Sequence, residues 1–317
     1  MFRNSKVLVT GGTGFIGTNL IKRLLETEAI VRATFHQQKP TEFLDRVNYV
    51  KAELTKEEDC RRVVQGSDYV FMCSAYALGA GKSEEEKVRH TTADIEMTAL
   101  MLEAAHRARV KKFLWISSCT IYPLSDAPLK EEQGHANPLF EKYFIVGSTK
   151  RRGEKLCQEY AEKTTNPMPV VIVRPTSAYG PHENLATSHV IPALIRKVIE
   201  RHDPVEVWGD GTAIKDLIFI DDLTRGMLLA MEKLDKFMPI NLGSGEQTSI
   251  KEIIETVIQI DGYNNARIVF DTSKPTMLPK MLVDVTRAKE VLGFKTTTSL
   301  EDGLRMTIEW YRQNKNK

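Results

Sequence analysis

Through the first 175 residues the apolar positions fall into short, nearly unbroken runs: Lys6–Thr10, Ile30–Phe35, Val47–Lys51, Tyr69–Cys73, Lys112–Ser117 and Val170–Arg174. β-branched runs of this length predict strands that are covered on both faces. Between them, Phe15–Glu26, Lys56–Gln65, Glu84–Arg109 and Val146–Lys163 read as helices. Strand–helix alternation predicts the α/β class, with a doubly wound parallel sheet joined by right-handed crossovers.

After Arg174 the rhythm changes. Pro175, Gly180, Pro181 and Pro192 interrupt it, and Val205–Trp208, Leu217–Ile220 and Arg267–Phe270 read as short strands. Ser249 with Glu252, and Ser299 with Asp302, have the spacing of capping boxes that open helices. We expect residues 1–175 to form one domain and 176–317 a smaller α+β lobe. Some of the latter, about 213–245 with a strand at Pro239–Leu242, is expected to return to the main sheet.

Composition adds mostly exclusions. The 317 residues are 42% apolar and 27% charged, with a net charge of +2, so nothing draws the chain toward nucleic acid. No apolar run reaches the roughly 18 residues a bilayer requires, and Met1–Lys6 runs into a strand without an h-region, so no signal peptide is expected. Cys60, Cys73, Cys119 and Cys157 form no CxxC pair and are expected to be reduced, as in a cytoplasmic protein. The histidines show no i,i+4 pairing, so no metal site is expected.

The first run leads into Gly11-Gly12-Thr13-Gly14-Phe15-Ile16-Gly17 and then into the Ile16/Leu20/Leu24 stripe. Strand, glycine turn and helix in this order predict a Rossmann dinucleotide site. The early glycines make the turn, Gly14 lets backbone approach the pyrophosphate, and Gly17 packs helix on strand. The helix N-terminus attracts the anion. NAD selection places an acid after the second strand; here that segment reads His36-Gln37-Gln38-Lys39. His36 beside a 2′-phosphate would lean the choice toward NADP, and NAD stays open. Ligands of such sheets lie past the strands' carboxyl ends. The expected cofactor set is Gly11, Thr13, Gly14, Phe15, Ile16, Gly17, His36, Glu53, Leu54, Ser74, Ala75, Pro175 and Ser177.

GGTGFIG, Ser118 in WISSCTIYP and the VGSTK segment ending at Lys150 resemble the extended short-chain dehydrogenase/reductases over essentially the whole chain. SSCTIYP (117–123), YGPHEN (179–184), SHVIPAL (188–194), VWGDG (207–211) and DVTR (284–287) resemble, within them, the nucleotide-sugar branch around GDP-fucose synthase. The resemblance implies hydride exchange between nicotinamide and a sugar carbinol or ketone. Ser118 would hydrogen-bond the reacting oxygen, and Lys150 would bind the nicotinamide ribose. The family's tyrosine, four residues before the lysine, is replaced by Val146, and the nearest phenol is Tyr143. Thr120, His189, Tyr143 or a water is left to carry the proton. His189 stands where the branch has a histidine implicated in epimerisation; Thr120 stands where its partner cysteine would be.

The implied substrate is a nucleotide sugar, GDP-linked by preference and reacting at C4. It would meet Tyr76, Ser118, Val146, Ser177, His189 and Trp208, with Arg196, Lys215 and Lys280 about its diphosphate. The branch further implies a homodimer through a four-helix bundle of the two long helices. Two other readings stay open: an epimerase that retains NAD, and a redox sensor that binds cofactor without turnover.

Overall fold

The computed structural model describes residues 1–76, 83–135, 138–184, 189–274, 276 and 279–314. Its first half alternates β1 (Lys6–Thr10), α1 (Phe15–Glu26), β2 (Ile30–Phe35), β3 (Asn48–Lys51), α2 (Glu57–Val64), β4 (Tyr69–Met72), α3 (Glu84–Arg107), β5 (Lys112–Ile116), α4 (Phe144–Glu162) and β6 (Val170–Pro175). With β11 (Met238–Leu242) these strands form a seven-stranded parallel sheet, ordered β11-β6-β5-β4-β1-β2-β3.

The unbroken apolar runs follow from burial on both faces. Val7 and Val9 belong to the core beneath α1, with Leu20 and Leu24, whereas Leu8 points to the opposite core, with Met101, Leu102, Phe113 and Trp115. Each step along the strand reverses the face, so both parities must be apolar. The long helix α3 stops two residues short of the expected Arg109, which takes a left-handed φ of 53°. Helix α4 starts two residues earlier than expected, behind a 3₁₀ turn at Glu141–Tyr143.

The second half supplies β7 (Ser177–Tyr179), α5 (Val190–Ile199), β8 (Val205–Trp208), β9 (Ile214–Lys215), β10 (Leu217–Phe219) and α6 (Ile220–Lys233) before β11. After it come β12 (Thr248–Ser249), α7 (Ile250–Asp261), β13 (Ile268–Asp271), β14 (Lys280–Met281), α8 (Thr286–Leu292) and α9 (Leu300–Asn314). Among the described residues these give three small sheets: β10 with β7, β13 with β8, and β12-β9-β14. Helix α6 packs on the main sheet beside α1. Ser249 and Ser299 cap α7 and α9, accepting from Glu252 N at 3.0 Å and Asp302 N at 3.1 Å.

Among the described residues no helix is long and apolar enough to cross a membrane, and no cluster of three or more His, Cys, Asp or Glu is placed to hold a metal. The four cysteines are unpaired.

Candidate active site

The glycine run bends where only glycine is comfortable. Gly11 has φ +64°, and its N–H donates to Thr34 Oγ1 (3.1 Å) while Gly12 N–H donates to Thr34 O (2.8 Å). A Cβ on Gly17 would lie 2.1 Å from Gly11 O, so α1 can cross the strand this closely only with glycine there. A Cβ on Gly14 would meet only Gly11 O, at 3.3 Å, leaving that face of the turn open. Gly14 caps α1 without a side chain, and the first turn carries no acid. The first N–H groups and the positive end of the dipole are therefore available to a pyrophosphate, and the cradle fits a dinucleotide. Gly17→Ala is expected to destabilise the chain by about 1–3 kcal/mol through overpacking and to weaken dinucleotide binding. Thermal melts and fluorescence titration with reduced nicotinamide cofactor read both.

The carboxyl end of β2 carries no acid in sequence, yet folding supplies one. His36 Nε2 lies 2.8 Å from Glu53 Oε2, and Glu53 also accepts from Thr55 Oγ1 at 2.9 Å. Leu54 is buried beside them. A 2′-phosphate at His36 would thus also face a carboxylate, which offsets the cationic reading of His36.

Ser118 follows β5 by two residues and caps a short 3₁₀ turn, Cys119–Ile121. Its Oγ accepts from Thr120 N (3.1 Å) and from Thr120 Oγ1 (3.0 Å). Helix α4 is pressed against this turn: a Cβ on Gly147 would sit 2.5 Å from Thr120 O, and Arg151 donates twice to Ile121 O, at 3.1 and 2.7 Å. Val146, next to that contact and half-buried, is one helical turn before Lys150. Tyr143 precedes the helix as its N-cap. Its ring meets Phe140 edge-on at 5.7 Å and packs against the cluster containing Ile121, Tyr122 and Met281.

Lys150 shares a small cavity with Ser74, Ala75, Asp94 and Trp115. Its ammonium donates to Ile116 O at 3.0 Å and lies 4.8 Å from the Trp115 ring centre. Burial holds the Lys150 pKa below the usual lysine value, against the opposing pull of Asp94. Burial likewise raises the Asp94 carboxyl, which accepts from Tyr76 N at 2.8 Å. Asp94 and Trp115 carry no local motif, and sequence reasoning missed both. Tyr76 stacks on His90 of α3 at 5.1 Å.

Around the expected diphosphate the outcome is divided. Register pairs Met281 with Lys215 and Lys280 with Ile214, so the two lysines project from opposite faces of β9-β14. Lys215 turns inward, where burial lowers its pKa. Arg196 lies in the last turn of α5. Trp208 is 48% exposed, and its Nε1 donates to Glu206 Oε1 at 2.8 Å. It stands on the short parallel pair β8-β13, which leaves that ring uncovered. Pro175 is buried and Ser177 exposed where β6 hands over to β7. His189 caps α5 and bonds Glu183. Ser188 lies outside the described residues.

A buried network fixes the wall behind this site. Arg174 forks onto Glu154 of α4 (2.8 and 2.7 Å) and donates to Tyr122 OH (2.9 Å) and Glu131 O (2.7 Å). Tyr122 OH in turn donates to Asn241 Oδ1 of β11 at 2.6 Å. Burial alone would raise the Glu154 carboxyl, but the Arg174 and His135 hydrogen bonds bring it down to about 2.

Comparison with known proteins agrees with this geometry. GDP-L-fucose synthase of Escherichia coli K12 is 31% identical over 98% of both chains. A crystal structure of UDP-glucuronic acid 4-epimerase from Bacillus cereus, in complex with UDP-glucuronic acid and NAD, superposes with a TM-score of 0.85 at 29% identity, covering 97% of this chain and 99% of the other. The fold is also that of a GDP-L-fucose synthetase from Naegleria fowleri bound to NADP, with a TM-score of 0.85 at 22% identity over 100% of this chain and 95% of that one. The profile of the "NAD dependent epimerase/dehydratase family" matches residues 7–243. With its glycine cradle, its Ser118 turn and its Lys150 helix in one parallel sheet, the chain belongs to the NAD-dependent epimerase/dehydratase family.

Proposed function

We propose that this chain is an NAD(P)-dependent oxidoreductase that interconverts carbinol and ketone at C4 of a nucleotide-activated sugar, with a GDP-sugar as the preferred substrate. The observation that carries the proposal is the double acceptance at Ser118 Oγ. With both hydrogen bonds from Thr120 arriving at that oxygen, the serine's own proton is the one left to donate to a sugar oxygen. The nicotinamide, when bound, accepts or returns the hydride. Gly11 to Gly17 hold its pyrophosphate end, with Ser74 and Ala75 following β4. Lys150 offers its remaining N–H donors to the ribose, from a position fixed by Ile116 O and the Trp115 face.

The proton needs a carrier other than a phenol at position 146. Thr120 is committed to Ser118, and the Tyr143 ring is packed in its cluster, so we assign the proton to His189. Lys215 and Arg196 neutralise the diphosphate, and Trp208 supplies an exposed aromatic face for the base. GDP is preferred because the 31% relative carries that nucleotide in its name. The domain division near residue 175, a cytoplasmic location and a homodimer through α3 and α4 are parts of the same reading. The unpaired cysteines support the second of these. The cofactor choice stays between NAD and NADP, since His36 is matched by Glu53.

Calorimetry with GDP- and UDP-sugars, in the presence of nicotinamide cofactor, tests the proposal. Binding of a GDP-sugar is expected to be at least about tenfold tighter, a difference of roughly 1.4 kcal/mol. Tight cofactor binding without any nucleotide-sugar binding would sink it. The similarity to a 4-epimerase favours one second reading, in which NAD is retained and hydride returns to the same carbon. A label at C4 that survives turnover would select it.

A further inference from the structure

The loop after β7 is pinned on both sides. Asn19 Nδ2 of α1 donates to Pro181 O at 2.9 Å, and the His182 ring, on a residue with φ +68°, rests against Trp310 of α9 at 5.1 Å. This pinning carries Glu183 into the interior, where it is only 6% exposed. Its Oε1 meets Nδ1 of His189 at 3.0 Å, while Oε2 is buried with no hydrogen-bond partner among the described residues. A buried carboxylate with an unsatisfied oxygen is costly, and such groups concentrate where function retains them. His189 faces the other way, with 57% of its side chain exposed.

We propose that Glu183 is a positioning residue for His189: by holding Nδ1 it fixes the imidazole so that Nε2 is the outward atom that exchanges protons. The inference rests on the proton role proposed for His189 and adds the group that makes that role possible. A neutral imidazole free to choose leaves either nitrogen protonated. With Nδ1–H bonded to a carboxylate, Nε2 keeps its lone pair and serves as base, then as acid once charged. The same contact favours the charged ring, so the carboxylate holds the His189 pKa above the usual histidine value, against its partial burial. Burial in turn raises the Glu183 carboxyl, partly offset by His189. On its own helix the next charged side chains are Arg196 and Lys197, two turns on, and Lys197 donates to Glu206 O. The elements that pin the Glu183 loop contribute Asn19 and Trp310, which are uncharged; Glu42 and Lys22 act on His182 instead.

The test is side-chain NMR of the histidines in the full chain, with His189 assigned by its loss in His189→Gln. In Glu183→Gln the amide oxygen still accepts from Nδ1–H, so the ring is expected to keep its tautomer and titrate at lower pH. In Glu183→Leu both the lower titration and a loss of the tautomer preference are expected. Glu183→Asp is expected to restore part of the raised titration, and thermal melts identify any variant that fails to fold. In turnover assays Glu183→Leu should lose on the order of 10²-fold in kcat with KM little changed. The limb of the pH profile that belongs to His189 should move to lower pH in Glu183→Gln. An unchanged His189 titration in a folded Glu183→Gln protein overturns the assignment. The titration needs no substrate, so it stands or falls separately from the nucleotide-sugar reading.

Discussion

Replacing Arg174 by methionine is expected to cost about 3–5 kcal/mol of folding stability, because it strands the buried Glu154 carboxylate. Both side chains are only 2% exposed and are joined by two forked hydrogen bonds. Arg174 also serves Tyr122 and Glu131, so the loss reaches the connection to β11 through Asn241. Denaturant titration reads the effect. The double variant Arg174→Met with Glu154→Leu should recover much of it, since a buried pair replaced by apolar volume is often neutral. A single variant as stable as the parent would show the network to be dispensable.

The same pair sets an acid limit. Glu154 is brought from 4.5 down to about 2 in the fold. A depressed carboxyl contributes stability that is fully present above its unfolded value and is lost as pH falls toward about 2. The parent should therefore lose this contribution below about pH 4.5, while in Arg174→Met the deficit should shrink on acidification, as protonation discharges the stranded carboxylate.

The second large effect is catalytic. Val146→Tyr is expected to raise turnover by about 10²–10⁴-fold, the usual worth of a positioned general acid–base group. Position 146 lies one turn before Lys150 on α4, so the two side chains share a face. The adjacent Gly147 contact with Thr120 O holds α4 against the Ser118 turn. A phenol there would meet the reacting oxygen with an ammonium nearby to lower its pKa. Cofactor affinity should not change, because Val146 lies away from the glycine cradle. The absorbance of reduced nicotinamide, followed with a GDP-sugar, checks the rate. Turnover in neither form would favour the redox-sensor reading over a weakened enzyme.

Much of the fold was legible because its causes are local. Strands covered on both faces demand apolar residues at every position, and Val7, Leu8 and Val9 supply two cores in alternation. Gly11 and Gly17 were readable for the same reason: a left-handed φ and a close crossing exclude any Cβ whatever surrounds them. The family resemblance singled out Ser118 and Lys150, and it exposed Val146 as a departure. Capping at Ser249 and Ser299 likewise needed only three residues of context.

Tertiary structure decided the charges. Asp94 shares a cavity with Lys150, Glu53 meets His36, Glu154 holds Arg174 and Glu183 holds His189, and none of these pairs follows from a helical or strand period. The sequence by itself determined the glycine turn and the helix that follows it, since backbone geometry there tolerates few residues, and the family resemblance singled out Ser118 and Lys150. Which carboxylate stands beside which basic side chain depended on chain segments brought together only by packing. Because a group's pKa is set by burial and by its neighbours' charges, the proton chemistry of the site became readable only in the folded chain.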